Sequence, residues 1–496
     1  MVNMSYSRKS NYSCYRSYGI LTIDIGTSGC KAILFGSDGT IVSKAEKLYS
    51  FNYDNRTGCA EQNPDEIYKS FVQVIKKCLS KEGDSLRYII LGSVLHSLVL
   101  LDEKGKPLAP LSTWADMRSK SQCQRLRKLY YRKGWYQKTG CPLSPSYPLS
   151  QLLWYKENDY KLYANFAKAV SIKSYILSRL FGRYLEDYSV ASGTGMFNIF
   201  TCDWEEEILN YLELDRSRLP DLVPVEYQFS GLSDSMVNKL GLPGDVAWIA
   251  GSADGPLAHL GSAAYNAGVA SLTIGTSGAV RMLSNKPQLS QNSSLWCYVL
   301  DSKSYVFGIA TNNGGNVVDW YVRTFLPKGI SWEEIGKNIE LTIFDPELFF
   351  IPFLFDERYL DGKFNVSAAF NGIKYKHSAY DLLRTIVEGV VFNMLSLMEK
   401  LKSFQTVKRV VTSGSITRLP FVYKLLSTLI EVPVDRGSTL NASLIGALRI
   451  VMGEEFNVKN KARLEGNITK KSVAFNSSSY AEKYFKWKQL CGHKSA

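Results

Sequence analysis

Two stretches of the chain repeat one another and carry groups able to do chemistry. "LTIDIGTSGCKAILFGSDGTIVSK" runs from Leu21 to Lys44, and "SLTIGTSGAVRML" runs from Ser271 to Leu283. Each reads as a strand that ends in a Gly-Thr-Ser-Gly turn. Such a turn lines up backbone N–H groups around an anion-sized concavity, to which Thr27 and Ser28 add hydroxyls. The first copy sets an acid, Asp24, at the strand end, whereas the second has Thr273 there. Two turns gripping neighbouring phosphates of one nucleotide call for that asymmetry. One carboxylate is enough to hold a hydrated Mg2+, and a second would repel the phosphates. A plain hairpin could use the same residues. What favours phosphate is the recurrence: Gly26 and Gly275 stand 249 residues apart in a chain of 496.

Two scaffolds must hold these turns. Residues 20–25, 30–36 and 40–48 read as a strand meander, and a helix runs from the Asn63-Pro64-Asp65-Glu66 start with apolar spacing near 3.6. Strand and helix signals alternate to the end of the chain, so the fold class is α/β. Repetition at half the chain length implies two similar lobes facing a cleft. The divisions expected are a flexible extension over 1–18, a first lobe over 19–265 and a second over 266–490.

Composition removes several classes of function. The formal charge is +13, yet no run of five Lys/Arg occurs, and the densest region, Arg118 to Trp135, reads as a solvated helix face. Nucleic-acid recognition signatures are missing. The longest apolar stretch, "YIILGSVLHSLVLLD", is broken by Gly92, Ser93, His96 and Ser97 and is too short and polar to span a bilayer. Nine cysteines without a Cys-x-x-Cys pair read as reduced thiols in a cytoplasm. The expected partners are therefore small molecules, with neither nucleic acid nor membrane, and a homodimer is left open.

"IDIGTSGCKAILFGSDG" resembles the opening phosphate motif of the FGGY-type carbohydrate kinases, members of the two-lobed actin-like ATPase (ribonuclease H-like) superfold. "YPLSQLLWYKEN" (Tyr147 to Asn158) and "NGIKYKHSAYDLLRTIVE" (Asn371 to Glu388) are similar to that family's two signatures. Within the family, "VLHSLVLLD", "STWADMRSKSQ", "ASGTGMFNI", "TIGTSGAVR" and "TNNGG" look most like gluconokinases. The resemblance implies ATP and Mg2+ as cofactors and a sugar or sugar acid as acceptor. Asp254, in "GSADGPLAHLG", takes the position of the catalytic base; on its own it could equally cap a helix. His96, Asp116 and Arg118 take sugar-contacting positions, beside the bland alternatives of a core histidine and a surface ion pair. Arg118 or Arg281 could answer a substrate carboxylate. Gly26, Thr27, Ser28, Gly275, Thr276 and Ser277 would hold phosphates, Asp24 the Mg2+ through water, and Gly414 and Ser415 the adenine side, where glycine lets backbone approach the base. The Asn312-Asn313-Gly314-Gly315 run would shape the same side of the cleft.

Departures from the family pattern are Gln151 for Lys, Thr385 for a smaller residue, Ser413 for the first Gly of the adenine loop, and the altered segment 355–364. Three functions are compatible with this reading. The first is an ATP-dependent kinase of D-gluconate, the second a kinase of xylulose or another pentulose or polyol, and the third a non-catalytic ATPase of the same superfold.

Overall fold

Seven residues of "GILTIDI" carry almost nothing but apolar side chains, and they form the innermost strand of the first of two six-stranded sheets. The computed structural model describes residues 18–492 except 55, 81–84, 245, 263, 292–294, 356, 358–366, 438–440 and 454–474. The expected extension over 1–18 lies, apart from Tyr18, outside the described residues, as does most of 355–364.

The first lobe contains β1 (Gly19–Ile25), β2 (Gly29–Gly36), β3 (Ile41–Leu48), helix α1 (Pro64–Leu79), β4 (Leu86–Ser93), β5 (Gln228–Phe229) and β6 (Ala247–Ala253), in the sheet order β5-β6-β4-β1-β2-β3. Helix α2 (Asp254–Gly261) follows β6 directly, with no intervening turn. The second lobe contains β7 (Val269–Ile274), β8 (Gly278–Ser284), β9 (Trp296–Asp301), β10 (Ser304–Thr311), helices α3 (Gly315–Phe325) and α4 (Ala379–Lys402), β11 (Arg409–Ser413), helix α5 (Pro420–Leu429), β12 (Val434–Arg436) and helices α6 (Ala442–Met452) and α7 (Ser477–Leu490). Its sheet order is β9-β10-β8-β7-β11-β12.

The two sheets share one plan. A three-strand antiparallel meander (β1-β2-β3; β7-β8-β10) continues through parallel pairing into two further strands (β4, β6; β11, β12). Each lobe adds one edge strand of its own, β5 in the first and β9 in the second. The duplication read from the glycine turns is therefore a duplication of topology. It is the two-lobed actin-like plan.

The lobes are tied by exchanged helices. Leu444, Leu448 and Met452 of α6 pack against Ile20, Ile33 and Phe35 of the first sheet. In return, His259 on α2 bonds Ser271 on β7, Nδ1 to Oγ at 2.9 Å. The two helices cross in backbone contact. A Cβ on Gly261 would lie 1.8 Å from the Ala442 carbonyl oxygen, and one on Gly446 would lie 2.0 Å from that of Leu257, so only glycine fits at either position.

The second family signature is structural. Ser378 and Asp381 form a capping box at the start of α4, and Glu388 lies at the centre of a buried cluster. Its carboxylate accepts from Arg384 Nε at 3.0 Å, Tyr480 Oη at 3.0 Å and Lys483 Nζ at 2.6 Å, which fastens α7 to α4. Thr385 bonds back to the Asp381 carbonyl at 2.8 Å, so its extra hydroxyl is absorbed within the helix. The eight described cysteines are free thiols. No helix among the described residues is long and apolar enough to cross a membrane.

Candidate active site

The glycine turns face the cleft and are pinned from behind. Gly26 N–H closes the first turn onto the Gly29 carbonyl at 3.1 Å, and Gly275 N–H closes the second onto Ser277 at 3.0 Å. Those two amides are thereby committed, which leaves the Thr27-Ser28 and Thr276-Ser277 amides as the donors a phosphate could use. Tyr49 Oη donates to the Gly26 carbonyl, Gln62 Nε2 donates to the Thr27 carbonyl at 2.8 Å, and Trp114 Nε1 donates to Thr27 Oγ1 at 2.9 Å. Behind the second turn stands the N-terminus of α3. Gly315 N–H donates to the Gly275 carbonyl at 2.6 Å and Asn316 N–H donates to the Thr276 carbonyl at 3.1 Å. A Cβ on Gly314 or Gly315 would fall within 2.7 Å of Ser277 or Gly275 backbone atoms. The Asn312–Gly315 run therefore brackets the second turn from behind.

The strand ends differ in what stands opposite them. Asp24 pairs with Gly92 across β1 and β4, where a Cβ would meet Leu257 Cδ1 at 2.9 Å and stand at an ordinary contact distance, 3.6 Å, from Asp24 Oδ1. The equivalent pair in the second lobe is Thr273 and Ser413, whose hydroxyls bond each other at 2.9 Å. Ser413, a departure from the family pattern, thus completes Thr273. Arg281 Nη1 donates to Thr273 Oγ1 at 3.3 Å. Asp24 Oδ2 accepts from Ser443 Oγ at 2.6 Å, while Oδ1 is buried with no donor among the described residues. Burial raises the Asp24 pKa against the opposing pull of Ser443. An acid with one orphaned oxygen beside a phosphate-sized turn fits a hydrated Mg2+, whose water would supply the missing donor.

Asp254 is the first residue of α2, where Gly255 N–H donates to its Oδ1 at 2.7 Å. Burial, and next the nearby Asp24 charge, push its pKa up to about 7, with Gly255 and Arg281 pulling the other way. It lines a cavity of about 200 Å³ with His96, Trp114, Ser277, Arg281 and Tyr298. A carboxylate whose pKa is raised towards neutrality in a sugar-sized cavity can take a proton from a hydroxyl. His96 sits in the left-handed region, φ 61°, just beyond β4. Its Nδ1 donates to the Gly193 carbonyl at 2.6 Å, which makes Nε2 the acceptor in the neutral ring. Tyr147 packs on the ring, and its hydroxyl meets that of Tyr298 at 2.9 Å. His259, five residues along α2, is held neutral by burial with a pKa of about 3 and is no competing base.

Trp114 and Ser277 also line a second cavity of about 880 Å³, together with Arg118, Thr276, Asn312 and Asn316. A sugar-sized space thus opens onto a nucleotide-sized one at the second glycine turn.

Not every expected residue joins this centre. Asp116 is buried and closed upon by Arg118 Nε and Nη2 at 3.0 and 2.7 Å and by Ala60 N–H at 3.3 Å, and Arg118 also pairs with Glu61 at 2.8 Å. This pair is a bracket beside the Asp254 cavity, not part of its lining. Gln151 holds the same loop, donating to the Thr113 and Ser146 carbonyls at 3.2 and 3.0 Å. Gly414 and Ser415 line neither cavity. Gly414, at φ 106°, serves a contact within the protein, because a Cβ there would lie 2.1 Å from the Ile274 carbonyl oxygen. Trp114, Tyr298 and Ser443 were not singled out in the sequence. Trp114 lies inside a motif quoted for its neighbours, and Ser443 carries no local signal.

Comparisons with known proteins identify the family. The FGGY family of carbohydrate kinases, N-terminal domain, matches residues 19–261, and its C-terminal domain matches residues 270–452. A gluconokinase of Bacillus subtilis (strain 168) is 31% identical over 441 residues, 86% of each chain. The crystal structure of a gluconate kinase from Lactobacillus acidophilus superposes with a TM-score of 0.86 at 25% identity, covering 96% of this chain and 98% of that one. A ligand-bound xylulose kinase from the same organism does so with a TM-score of 0.86 at 26% identity and the same coverage. The chain belongs to the FGGY family of carbohydrate kinases and is a sugar phosphotransferase that uses ATP as phosphate donor.

Proposed function

We propose that this kinase transfers the γ-phosphate of ATP to O6 of D-gluconate, giving 6-phospho-D-gluconate. The observation that carries a sugar acid over a neutral sugar is Arg281. It lines the Asp254 cavity, and Thr273 steadies it from the neighbouring strand. A neutral pentulose could accept single hydrogen bonds from a guanidinium, whereas a carboxylate is matched in charge and geometry by its fork of donors.

In this reading Asp254 accepts the O6 proton as the bond to phosphorus forms, and the leaving ADP departs on the opposite side. His96 Nε2 and Trp114 orient the sugar, and closure of the lobes keeps water from taking its place. The Thr27-Ser28 and Thr276-Ser277 amides hold the phosphates, with the nucleotide running through the larger cavity towards Gly414 and Ser415. Mg2+ near Asp24 would offset phosphate charge. Asp116 and Arg118 hold the wall that carries Trp114.

A coupled ATP assay over gluconate, xylulose and glycerol tests the substrate, and turnover of xylulose without gluconate would overturn it. Arg281→Leu should raise KM for gluconate by about 10- to 100-fold, the value of a charge-assisted pair, with KM for ATP little changed. A rise confined to KM for ATP would reassign Arg281 to the phosphates.

A further inference from the structure

We propose that Ser443 is a positioning residue that fixes the Asp24 carboxylate for its metal and ties that position to the joint between the lobes. The proposal rests on reading Asp24 as the metal anchor. Ser443 Oγ donates to Asp24 Oδ2 at 2.6 Å, linking residues 419 apart in sequence. The two oxygens of Asp24 are thereby made unequal: Oδ2 is occupied, and Oδ1 is buried with no donor among the described residues. A carboxylate on a strand end can rotate about its terminal bond, and one short hydrogen bond is enough to stop it.

The residue that stops it belongs to the other lobe. Ser443 lies in the first turn of α6, a helix that packs on the first sheet through Leu444, Leu448 and Met452. Three residues on, Gly446 touches the Leu257 backbone of α2, and Ala442 touches Gly261. Helix α2 begins with Asp254. One tightly packed crossing therefore carries the hydroxyl that sets Asp24 and, a turn away, the acid that takes the proton. A shift of this crossing as the lobes close would move both groups together.

The two-fold plan of the fold makes the pairing intelligible. Asp254 opens the helix after the last strand of the first sheet, and Ser443 stands near the start of the helix after the last strand of the second. One copy of that position holds a base, and the other holds the donor that orients a base-like acid in the opposite lobe.

The test is calorimetric binding of ADP to the full chain, without sugar, in Mg2+ and in EDTA. Ser443→Ala should weaken binding about tenfold in Mg2+ and leave it unchanged in EDTA, and Ser443→Thr should restore it. Ser443→Val keeps the shape of Thr without the hydroxyl and should behave as Ala, which separates a lost donor from disturbed packing. In an Asp24→Asn background, Ser443→Ala should have no further effect. Equal weakening with and without Mg2+, or rescue by Val, would overturn the proposal. If Asp24→Asn itself keeps its Mg2+ dependence, the metal reading fails instead. The sugar plays no part in this measurement, so the outcome does not depend on which sugar is phosphorylated.

Discussion

Replacing Asp254 by Asn should leave the ligand-free protein more stable at high pH while removing its activity. Burial and the Asp24 charge raise the Asp254 pKa from 3.8 to about 7. In the unfolded chain the carboxyl loses its proton near its ordinary value, whereas the folded protein keeps it until near neutrality. Between those two limits the folded state binds more protons, so stability falls as pH rises. The cost of holding the charge is absent below the unfolded pKa and fully in place above about pH 7. Each tenfold change in proton affinity is worth about 1.4 kcal/mol, so the rise corresponds to about 4 kcal/mol at most. The side chain opens onto the cleft, and screening by solvent brings the expected gain for Asn to about 2–4 kcal/mol.

Urea unfolding of wild type and Asp254→Asn at about pH 5 and about pH 8 measures this, with the Asn advantage at the lower pH roughly half or less of that at the higher. Activity reads the other half of the argument. A general base contributes about 10²- to 10⁴-fold, so kcat should fall in that range, and wild-type kcat/KM should climb with pH through about 7. An Asn variant that is less stable at both pH values, or one that keeps its kcat, would refute the reasoning.

Other perturbations follow from single contacts. Glu388→Gln leaves Arg384 and Lys483 buried without their counter-charge and should cost about 3–5 kcal/mol, read as an earlier first transition in thermal unfolding. Thr273→Asp would set a carboxylate beside Arg281 Nη1, now 3.3 Å from the threonine hydroxyl. The guanidinium would then be drawn from the cavity, raising KM for gluconate more than KM for a neutral sugar, while the added charge beside the phosphates raises KM for ATP with either sugar.

The glycine turns were legible because the motif is local: strand, Gly-Thr-Ser-Gly, strand, twice. Asp254 was legible for the same reason, as an acid between an apolar strand and a helix start. The Asp116-Arg118 pair shows where local reading stops. Its motif is plain in the sequence, yet whether the two side chains meet a ligand or each other depends on Glu61 and Ala60, more than fifty residues away. Gly414 was read as letting backbone approach a base, and a contact that the sequence does not show also requires glycine there, since a Cβ would lie 2.1 Å from the Ile274 carbonyl oxygen. Ser413 looked like an unexplained departure until the register set it opposite Thr273. Ser443 was invisible, since its partner is 419 residues distant. Contacts within one element are written in the sequence, whereas contacts across the crossing of α2 and α6 are written only in the fold.

The repetition of backbone is close to two-fold, but the chemistry laid on it is inverted. At the first strand end, glycine stands opposite an acid, and the result is a carboxylate suited to a cation. At the second, serine stands opposite threonine, and their joined hydroxyls steady a guanidinium suited to an anion. A symmetric clamp with two acids would repel the nucleotide, and one with two cations would hold phosphate without a place for the metal. Phosphoryl transfer is itself directional: acceptor and donor are different groups, and the two turns that flank them cannot stay equivalent. A duplicated scaffold serves such a reaction only after its copies have diverged in charge, and residues 24 and 273 are where this chain records that divergence.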